Sequence, residues 1–458
     1  MNNPELRGDS FLIVGFGREG RSVLEYLQGR YPNVRIGIAD QNLTNESLEA
    51  PQGVECFSGA NYLASAHTFE TIIRSPGVNM RAIKPFLKEE SHLTSATNIF
   101  FAECPGRIVG ITGTKGKSTT SSLTASILSE IFPDVRLVGN IGTPMLNHLA
   151  GATTETVFVI ELSSYQLEDL RRSPHVAILL NIVPEHLDYH GGFEPYSAAK
   201  ANIGRHQRAT DVLITNETNE LLKKLTHGFA GARYYFSEQH NDSAITRVER
   251  DTIFITKDGE SAPLVRTDEL PVIGPGNLQN ALAAITCAVA LGGSIPQIQQ
   301  GLQRFRPLEH RLEFVATRHD ISFYNDSLAT IPEALAHALV ALGDKVETII
   351  AGGFDRGVDM GPVGPALAAS NVRNLILFPT TGEKIWEAAR TAAPHRTYNR
   401  VDVHLMNEAV QAAYDLTNAG KICVMSPASS SFSVFKDYRD RGEQFREAVK
   451  RLSPSSKM

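Results

Sequence analysis

Short runs of apolar residues recur along this chain, each ending in a glycine-rich or polar loop and followed by a segment with helical spacing. Phe11-Leu-Ile-Val14, Ile108-Val109 with Ile111, Val157-Phe-Val-Ile160, Val176-Ala-Ile-Leu-Leu180 and Ile349-Ile-Ala351 all read as buried strands. Strands in continuous apolar runs, alternating with helices, predict an α/β protein built on doubly wound, mostly parallel sheets. The most informative unit is Gly106-Arg-Ile-Val-Gly-Ile-Thr-Gly-Thr-Lys-Gly-Lys-Ser-Thr-Thr120. A strand runs into the loop Gly113, Thr114, Lys115, Gly116, and Lys117, Ser118 and Thr119 open a helix. Backbone N–H groups and a helix N-terminus then face an anion, Lys117 adds a point charge, and Ser118 offers a hydroxyl to Mg²⁺. Strict P-loop spacing places a glycine at position 111, where Ile111 stands, so this phosphate loop is a variant.

A second glycine loop precedes it. The strand ending at Val14 enters Gly15-Phe16-Gly17-Arg18-Glu19-Gly20, a helix follows, and the strand from Val34 ends in Asp40, 20 residues after Gly20. Alone, this is a dinucleotide fingerprint with its ribose acid, and it supports an NAD(P)-dependent oxidoreductase as a remote alternative. The unit stops after about 100 residues, however, with a Ser75-Pro76-Gly77 turn on the way, and the stronger phosphate loop follows at once. Two such units suit a nucleotide-linked substrate at the first and a nucleoside triphosphate at the second.

Length and composition narrow the class. At 458 residues about three domains are expected, at 1–103, 104–307 and 308–458. A net charge of −6 without a basic run disfavours nucleic acid as a partner. Cys56, Cys104, Cys287 and Cys423 are scattered without metal-ligand spacing, which disfavours structural zinc and fits a reducing cytoplasm. The start Met1-Asn-Asn-Pro-Glu lacks a signal-peptide pattern and no window reaches the ~18 apolar residues of a membrane span.

Further along the central segment, the strand from Thr156 places Glu161 at its C-terminal end, where parallel sheets bind ligands. The next strand ends in Pro184-Glu-His186, and a helix beginning near Tyr196 carries Lys200. Glu161, His186 and the Ser118 hydroxyl at neighbouring strand ends suit a Mg²⁺–triphosphate site. Taken in isolation, Lys200 reads as a solvated helix lysine. Val138-Gly-Asn140-Ile-Gly-Thr-Pro144 is a loop suited to backbone contact with a ligand. Asn277 and Asn280 open an apolar helix, where asparagines also serve as N-caps.

Gly-Ile-Thr-Gly-Thr-Lys-Gly-Lys-Ser-Thr (110–119), Gly-Asn-Ile-Gly (139–142), Glu-Leu-Ser-Ser-Tyr-Gln-Leu-Glu (161–168), His186-Leu-Asp and Ala-Ala-Lys (198–200) together resemble the Mur ligase family. The 161–168 run in particular is similar to the glutamate-adding branch of that family, and the resemblance covers essentially the whole chain. It implies an ATP-dependent carbon–nitrogen ligase of peptidoglycan precursor synthesis, and so of cell-wall biogenesis, shape and division. Glutamate would be joined to UDP-N-acetylmuramoyl-L-alanine through an acyl phosphate, by a cytoplasmic monomer with no membrane partner.

The resemblance also implies site roles. Lys117, Glu161, His186 and Lys200 are catalytic, and Ser118, Glu161, His186 and a carbamylated Lys200 hold Mg²⁺. ATP is held by residues 113–119 with Asn277, Asn280, Arg311 and Asp326. The first domain is a UDP-binding, Rossmann-like domain using Gly15, Phe16, Gly17, Arg18, Asp40, Ser75, Pro76, Gly77 and, from the central domain, Asn140. Glutamate falls to Thr330, Arg356, Ser431, Phe432 and Tyr438. Two departures stand out: Leu328 and Arg356 occupy positions where glutamate-adding members commonly carry lysine. D-glutamate is the default substrate, and a variant adding L-glutamate ahead of an epimerase is the alternative. The tail from Ser453 is expected to be disordered.

Overall fold

The computed structural model describes residues 3–43, 53–140, 143–257, 259–307, 309–432 and 434–452. Ile141 and Gly142 of the 139–142 motif and the tail from Ser453 lie outside the described residues. Three sheets carry the chain. The first consists of β1 (Ser10–Val14), β2 (Arg35–Ala39), β3 (Val54–Phe57), β4 (Thr71–Arg74) and β5 (His92–Ser95), all parallel, in the order 3-2-1-4-5. Phe11 and Ile13 enter one core with Val23, Leu24 and Leu27 of the helix Arg18–Arg30. Leu12 and Val14 enter another core with Leu63, Ala66 and Phe69. Burial on both faces is why the strand is apolar without alternation.

The second sheet contains β6 (Arg107–Thr112), β7 (Val135–Gly139), β8 (Val157–Glu161), β9 (Val176–Leu179), β10 (Val212–Asn216), β11 (Ala232–Ser237), β12 (Ala244–Glu249), β13 (Thr252–Lys257) and β14 (Glu260–Arg266). Its order is 14-13-12-11-10-9-6-8-7, parallel from β7 to β12 and antiparallel from β12 to β14. The strand feeding the phosphate loop, β6, sits between β8 and β9, so the loops after all three open at one edge. The first and second sheets share a core: Ile99 and Phe100 of the helix Ala96–Glu103 join Ile13 and Ile73 to Phe158, Ile160 and Leu179. Phe100 meets Phe158 edge to face at 5.0 Å. Accordingly the chain forms two compact units, Met1–Pro271 with Asn277–Phe305, and Val272–Gly276 with Arg306–Met458.

The second unit holds the third sheet: β15 (Glu313–Arg318), β16 (Ile321–Asn325), β17 (Val346–Gly352), β18 (Asn374–Phe378), β19 (Asn399–Asp402) and β20 (Ile422–Met425), in the order 15-16-20-17-18-19. Only β15 is antiparallel. Ile349 and Ala351 pack on one side with Leu335, Leu339 and Ile385, while Ile350 packs on the other with Val410, Phe445 and Val449. Helices on both faces make it doubly wound, as its apolar strands predict. Among the described residues no helix is long and apolar enough to cross a membrane.

Candidate active site

In the first sheet the chain turns sharply after Val14. Gly15 has φ +87, and an added Cβ there would lie 2.9 Å from the Ser75 and Val78 side chains. Gly20 presses on the Gly15 carbonyl, where a Cβ would lie at 2.2 Å. Ser75 closes the turn, its N–H donating to Val14 O at 2.8 Å and its Oγ to Gly15 O at 2.7 Å. Asp40, placed by spacing as a ribose acid, is turned onto its own loop. Its Oδ2 accepts from Phe16 N at 2.7 Å and its Oδ1 from Asn42 N at 2.9 Å. The carboxylate thus shapes the glycine loop.

The phosphate loop is held from several sides. Gly116 has φ +89 and starts the helix Lys117–Leu128. Lys117 Nζ donates to the carbonyls of Gly113 and Thr114, both at 3.0 Å. Asn181, after β9, accepts from Lys115 N at 2.9 Å and donates to Lys115 O at 3.0 Å. Thr114 Oγ1 lies 2.9 Å from Tyr196 Oη. Lys115 Nζ pairs with Glu185 at 2.7 Å. Asn280 stands so close to the loop that a Cβ on Gly116 would lie 2.1 Å from its Oδ1. The helix Pro275–Ala290 starts before Asn277, so the N-cap reading of these asparagines gives way to first- and second-turn positions, with Asn280 Nδ2 donating to Asn277 Oδ1 at 3.0 Å.

Around this loop the strand ends gather the ionisable groups. Glu161 is buried, its Oε1 accepting from Asn140 Nδ2 at 2.8 Å while Oε2 has no hydrogen-bond partner. A buried carboxylate oxygen left open is costly unless a cation or donor completes it. Lys200 is also buried, contrary to a solvated helix lysine, and donates to Gly113 O at 2.8 Å. Burial, then the nearby Lys117, pushes its amine down to about 7. His186 is half-exposed with φ +54, its ring 5.1 Å from Tyr165 and 3.8 Å from Glu185. Burial lowers its pKa against the pull of Glu185, with Lys200 and Lys117 assisting, so the imidazole is neutral near pH 7. Among the described residues no three His, Cys, Asp or Glu side chains form a metal cage. One carboxylate with an open oxygen, the Ser118 hydroxyl in the first turn of the helix and an imidazole nevertheless fit Mg²⁺, which keeps waters and takes the rest of its shell from substrate phosphates.

A buried network joins the two glycine-loop regions. Arg74 is fully buried and pairs with Asp169 at 3.0 Å. Its guanidinium also donates to the Pro76, Val78 and Tyr165 carbonyls. Glu19 Oε1 accepts from Gln166 Nε2 at 2.7 Å, and Gln166 Oε1 accepts from Ser163 N at 2.9 Å. The stretch 161–168 is thereby fastened to the first sheet.

In the second unit, the loops after β16, β17 and β20 bring the expected amino-acid residues to one sheet edge. Phe354 N donates to Ser430 O at 2.8 Å, tying the Arg356 loop to the Ser431 loop. Arg356 is exposed and its guanidinium lies 5.5 Å from the Phe432 ring. Thr330 is half-buried, and Tyr438 opens the helix Tyr438–Arg451. Asp326 is buried, accepting from Leu312 N at 3.2 Å and Ser426 Oγ at 2.8 Å. It holds the turn at His310–Leu312, where both end residues have positive φ and Arg311 is half-buried. Asn181, Glu185 and Gln166 are site-building residues that sequence spacing did not single out.

Two family models match: the Mur ligase middle domain over residues 111–288, and the Mur ligase glutamate ligase domain over 310–429. The chain is 32% identical over 461 residues to the UDP-N-acetylmuramoylalanine--D-glutamate ligase of Acetivibrio thermocellus, covering 97% of each chain. It is 33% identical over 478 residues to the enzyme of that name from Ruminiclostridium cellulolyticum, covering 99% of this chain and 100% of that one. Among solved structures, UDP-N-acetylmuramate-alanine ligase MurC from Thermotoga maritima shares the fold, with a TM-score of 0.58 at 17% identity over 96% of this chain and 99% of that one. The MurF ligase from Thermotoga maritima, solved with ADP, gives 0.57 at 16% identity over 98% and 97%. The chain belongs to the Mur ligase family.

Proposed function

We propose that this chain is an ATP-dependent ligase that adds glutamate to UDP-N-acetylmuramoyl-L-alanine in peptidoglycan precursor synthesis. The observation that carries the reading is the phosphate loop with Lys117, Lys200 and Glu161 gathered at its mouth, in a chain matching D-glutamate ligases over its full length. The first glycine loop, with Asp40 holding Phe16 N, and the Ser75-Pro76-Gly77 turn cradle the uridine diphosphate end. Gly17, Arg18 and Asn140 complete that site. The oxidoreductase alternative loses its ribose acid to the loop itself.

ATP lies on residues 113–119, with Asn280 beside Gly116 and Asn277 bonded to Asn280. Lys117 leaves its two loop carbonyls for the phosphates. The alanyl carboxylate attacks the γ-phosphorus, ADP departs, and an acyl phosphate forms. The glutamate amine then attacks the acyl carbon, loses a proton, and expels phosphate to leave the amide. Mg²⁺, when bound, offsets phosphoryl charge. Ser118, the open Oε2 of Glu161, neutral His186 and a carbamate on Lys200 are the groups that would hold it. An amine titrating near 7 is available for carbamylation at neutral pH, which supports the modification of Lys200.

Glutamate is held by Thr330, Ser431, Tyr438 and the Arg356–Phe432 pair, Arg356 taking a carboxylate through two charge-assisted bonds. D-glutamate is the expected hand. L-glutamate is the second reading, favoured by Leu328, which brings no charge where most glutamate-adding members have lysine. Phosphate release from ATP and UDP-N-acetylmuramoyl-L-alanine with each amino acid in turn tests both. Turnover confined to D-glutamate fits the proposal, turnover with L-glutamate alone selects the second reading, and turnover with neither refutes the glutamate pocket.

A further inference from the structure

The third-sheet edge contains a second arginine, hidden behind the loops. Arg441, on the helix Tyr438–Arg451, is 1% exposed. Its Nε donates to Ser327 Oγ at 3.0 Å, its Nη2 to Ser327 O at 2.9 Å and its Nη1 to Ser429 O at 3.0 Å. Every one of these acceptors is neutral, and among the described residues no carboxylate lies within ion-pairing distance of it. The anion that acts on it is Asp326, whose own carboxyl is pushed up to about 7 by burial and already accepts two bonds. Burial lowers Arg441 to about 10, which still leaves it charged at neutral pH. A buried guanidinium without a paired carboxylate is an unfavourable thing to fold around unless its charge and its geometry serve a ligand.

Its placement shows which ligand. Ser327 begins the loop that runs through Leu328 to Thr330, and Ser429 begins the run to Ser431 and Phe432. One planar fork therefore fixes both loops at once in a set geometry, where an ammonium on a flexible stem is a point charge with rotatable donors. Ser327 Oγ passes the constraint on, donating to Tyr438 O at 2.7 Å. On the adjoining loop, Asp355 is paired with Lys384 at 2.6 Å. We infer that Arg441 is a positioning residue of the amino-acid site, clamping the Ser327–Thr330 and Ser429–Phe432 loops and backing them with the positive potential that Leu328 does not supply. The carboxylate group of the incoming amino acid is the chemistry it serves, little screened because the guanidinium is dry. This inference rests on the proposed glutamate site.

The test uses the full chain with ATP and UDP-N-acetylmuramoyl-L-alanine. Arg441→Lys loses the fork, and Ser327→Ala removes one acceptor while leaving Arg441 in place. Each is expected to raise KM for glutamate, about tenfold for Arg441→Lys, equivalent to ~1.4 kcal/mol. KM for ATP and for the muramyl substrate should stay within about twofold, a split that a merely structural residue does not produce. A rise above about threefold confined to glutamate in either variant supports the inference. Glutamate KM within that limit in both, all three KM values rising together, or neither variant accumulating as folded protein overturns it. A parent enzyme that uses no glutamate overturns the site reading as well, whereas an active parent with unchanged variants overturns the role of Arg441 alone.

Discussion

Gly116→Ala concentrates the phosphate-loop argument into one methyl group. The backbone at Gly116 has φ +89, and a left-handed alanine costs about 1–2 kcal/mol. The new Cβ would sit 2.1 Å from Asn280 Oδ1, so that side chain must swing away and give up its 3.0 Å bond to Asn277, about 1 kcal/mol more. The sum, roughly 2–3 kcal/mol, corresponds to about 30- to 150-fold in nucleotide affinity if it falls on the bound loop. Gly228→Ala is the matched control: Gly228 has φ +82 with nothing within 4 Å, so it carries the backbone strain without the collision. Calorimetric titration with ATP, beside thermal unfolding of both variants, separates the terms. Both should lose a few degrees of thermal midpoint, and only Gly116→Ala should lose nucleotide affinity. ATP binding by Gly116→Ala within about threefold of the parent, or an equal loss in Gly228→Ala, would refute the assignment.

Three further outcomes follow from the same geometry. Lys200→Ala should lose at least about 100-fold in turnover and recover part of it with added formate or acetate, while the parent in ¹³C-bicarbonate shows a carbamate resonance; a parent spectrum without that resonance removes the modification. Arg356→Ala should raise KM for glutamate at least about 30-fold, ~2 kcal/mol for a lost carboxylate contact, with ATP unaffected; equal effects on both would place Arg356 elsewhere. Burial, ahead of the opposing hydrogen bond from Gln166, lifts the Glu19 carboxyl from 4.5 to about 7. A folded-state pKa above the unfolded one contributes stability in full below 4.5 and loses it as pH rises through about 7, up to about 3 kcal/mol. Glu19→Gln, neutral and of the same shape, should therefore raise the thermal midpoint at pH 8 relative to the parent and not at pH 4, read by differential scanning fluorimetry. The same difference at both pH values contradicts the burial account.

What was legible in the sequence is what local chemistry writes. Gly113–Gly116, Lys117 and the strand before them must be contiguous, and the apolar runs of β1, β6, β8, β9 and β17 announce strands covered on both faces. Contacts between distant loops leave no such mark. Asn181 closes on Lys115 across 66 residues, and the Glu185 bond to the same lysine spans 70. Asp40, meeting Phe16 N and Asn42 N, shows the same limit, because spacing locates a carboxylate at a strand end and says nothing of which amides it meets. The antiparallel extension β12–β14 is half polar, and its first turn uses Arg250 and Asp251 at positive φ, residues with little of glycine's signal. Arg74 and Arg441 are fully buried, against the strong tendency of arginine toward the surface, and only packing reveals them.

The central claim is that the muramyl carboxylate is activated as an acyl phosphate before glutamate attacks. Its most direct test labels both oxygens of the alanyl carboxylate of UDP-N-acetylmuramoyl-L-alanine with oxygen-18 and analyses the phosphate released during turnover with ATP and glutamate. Attack by that carboxylate on the γ-phosphorus, followed by expulsion of phosphate from the acyl carbon, requires one labelled oxygen in each phosphate formed. Phosphate free of label would contradict the account.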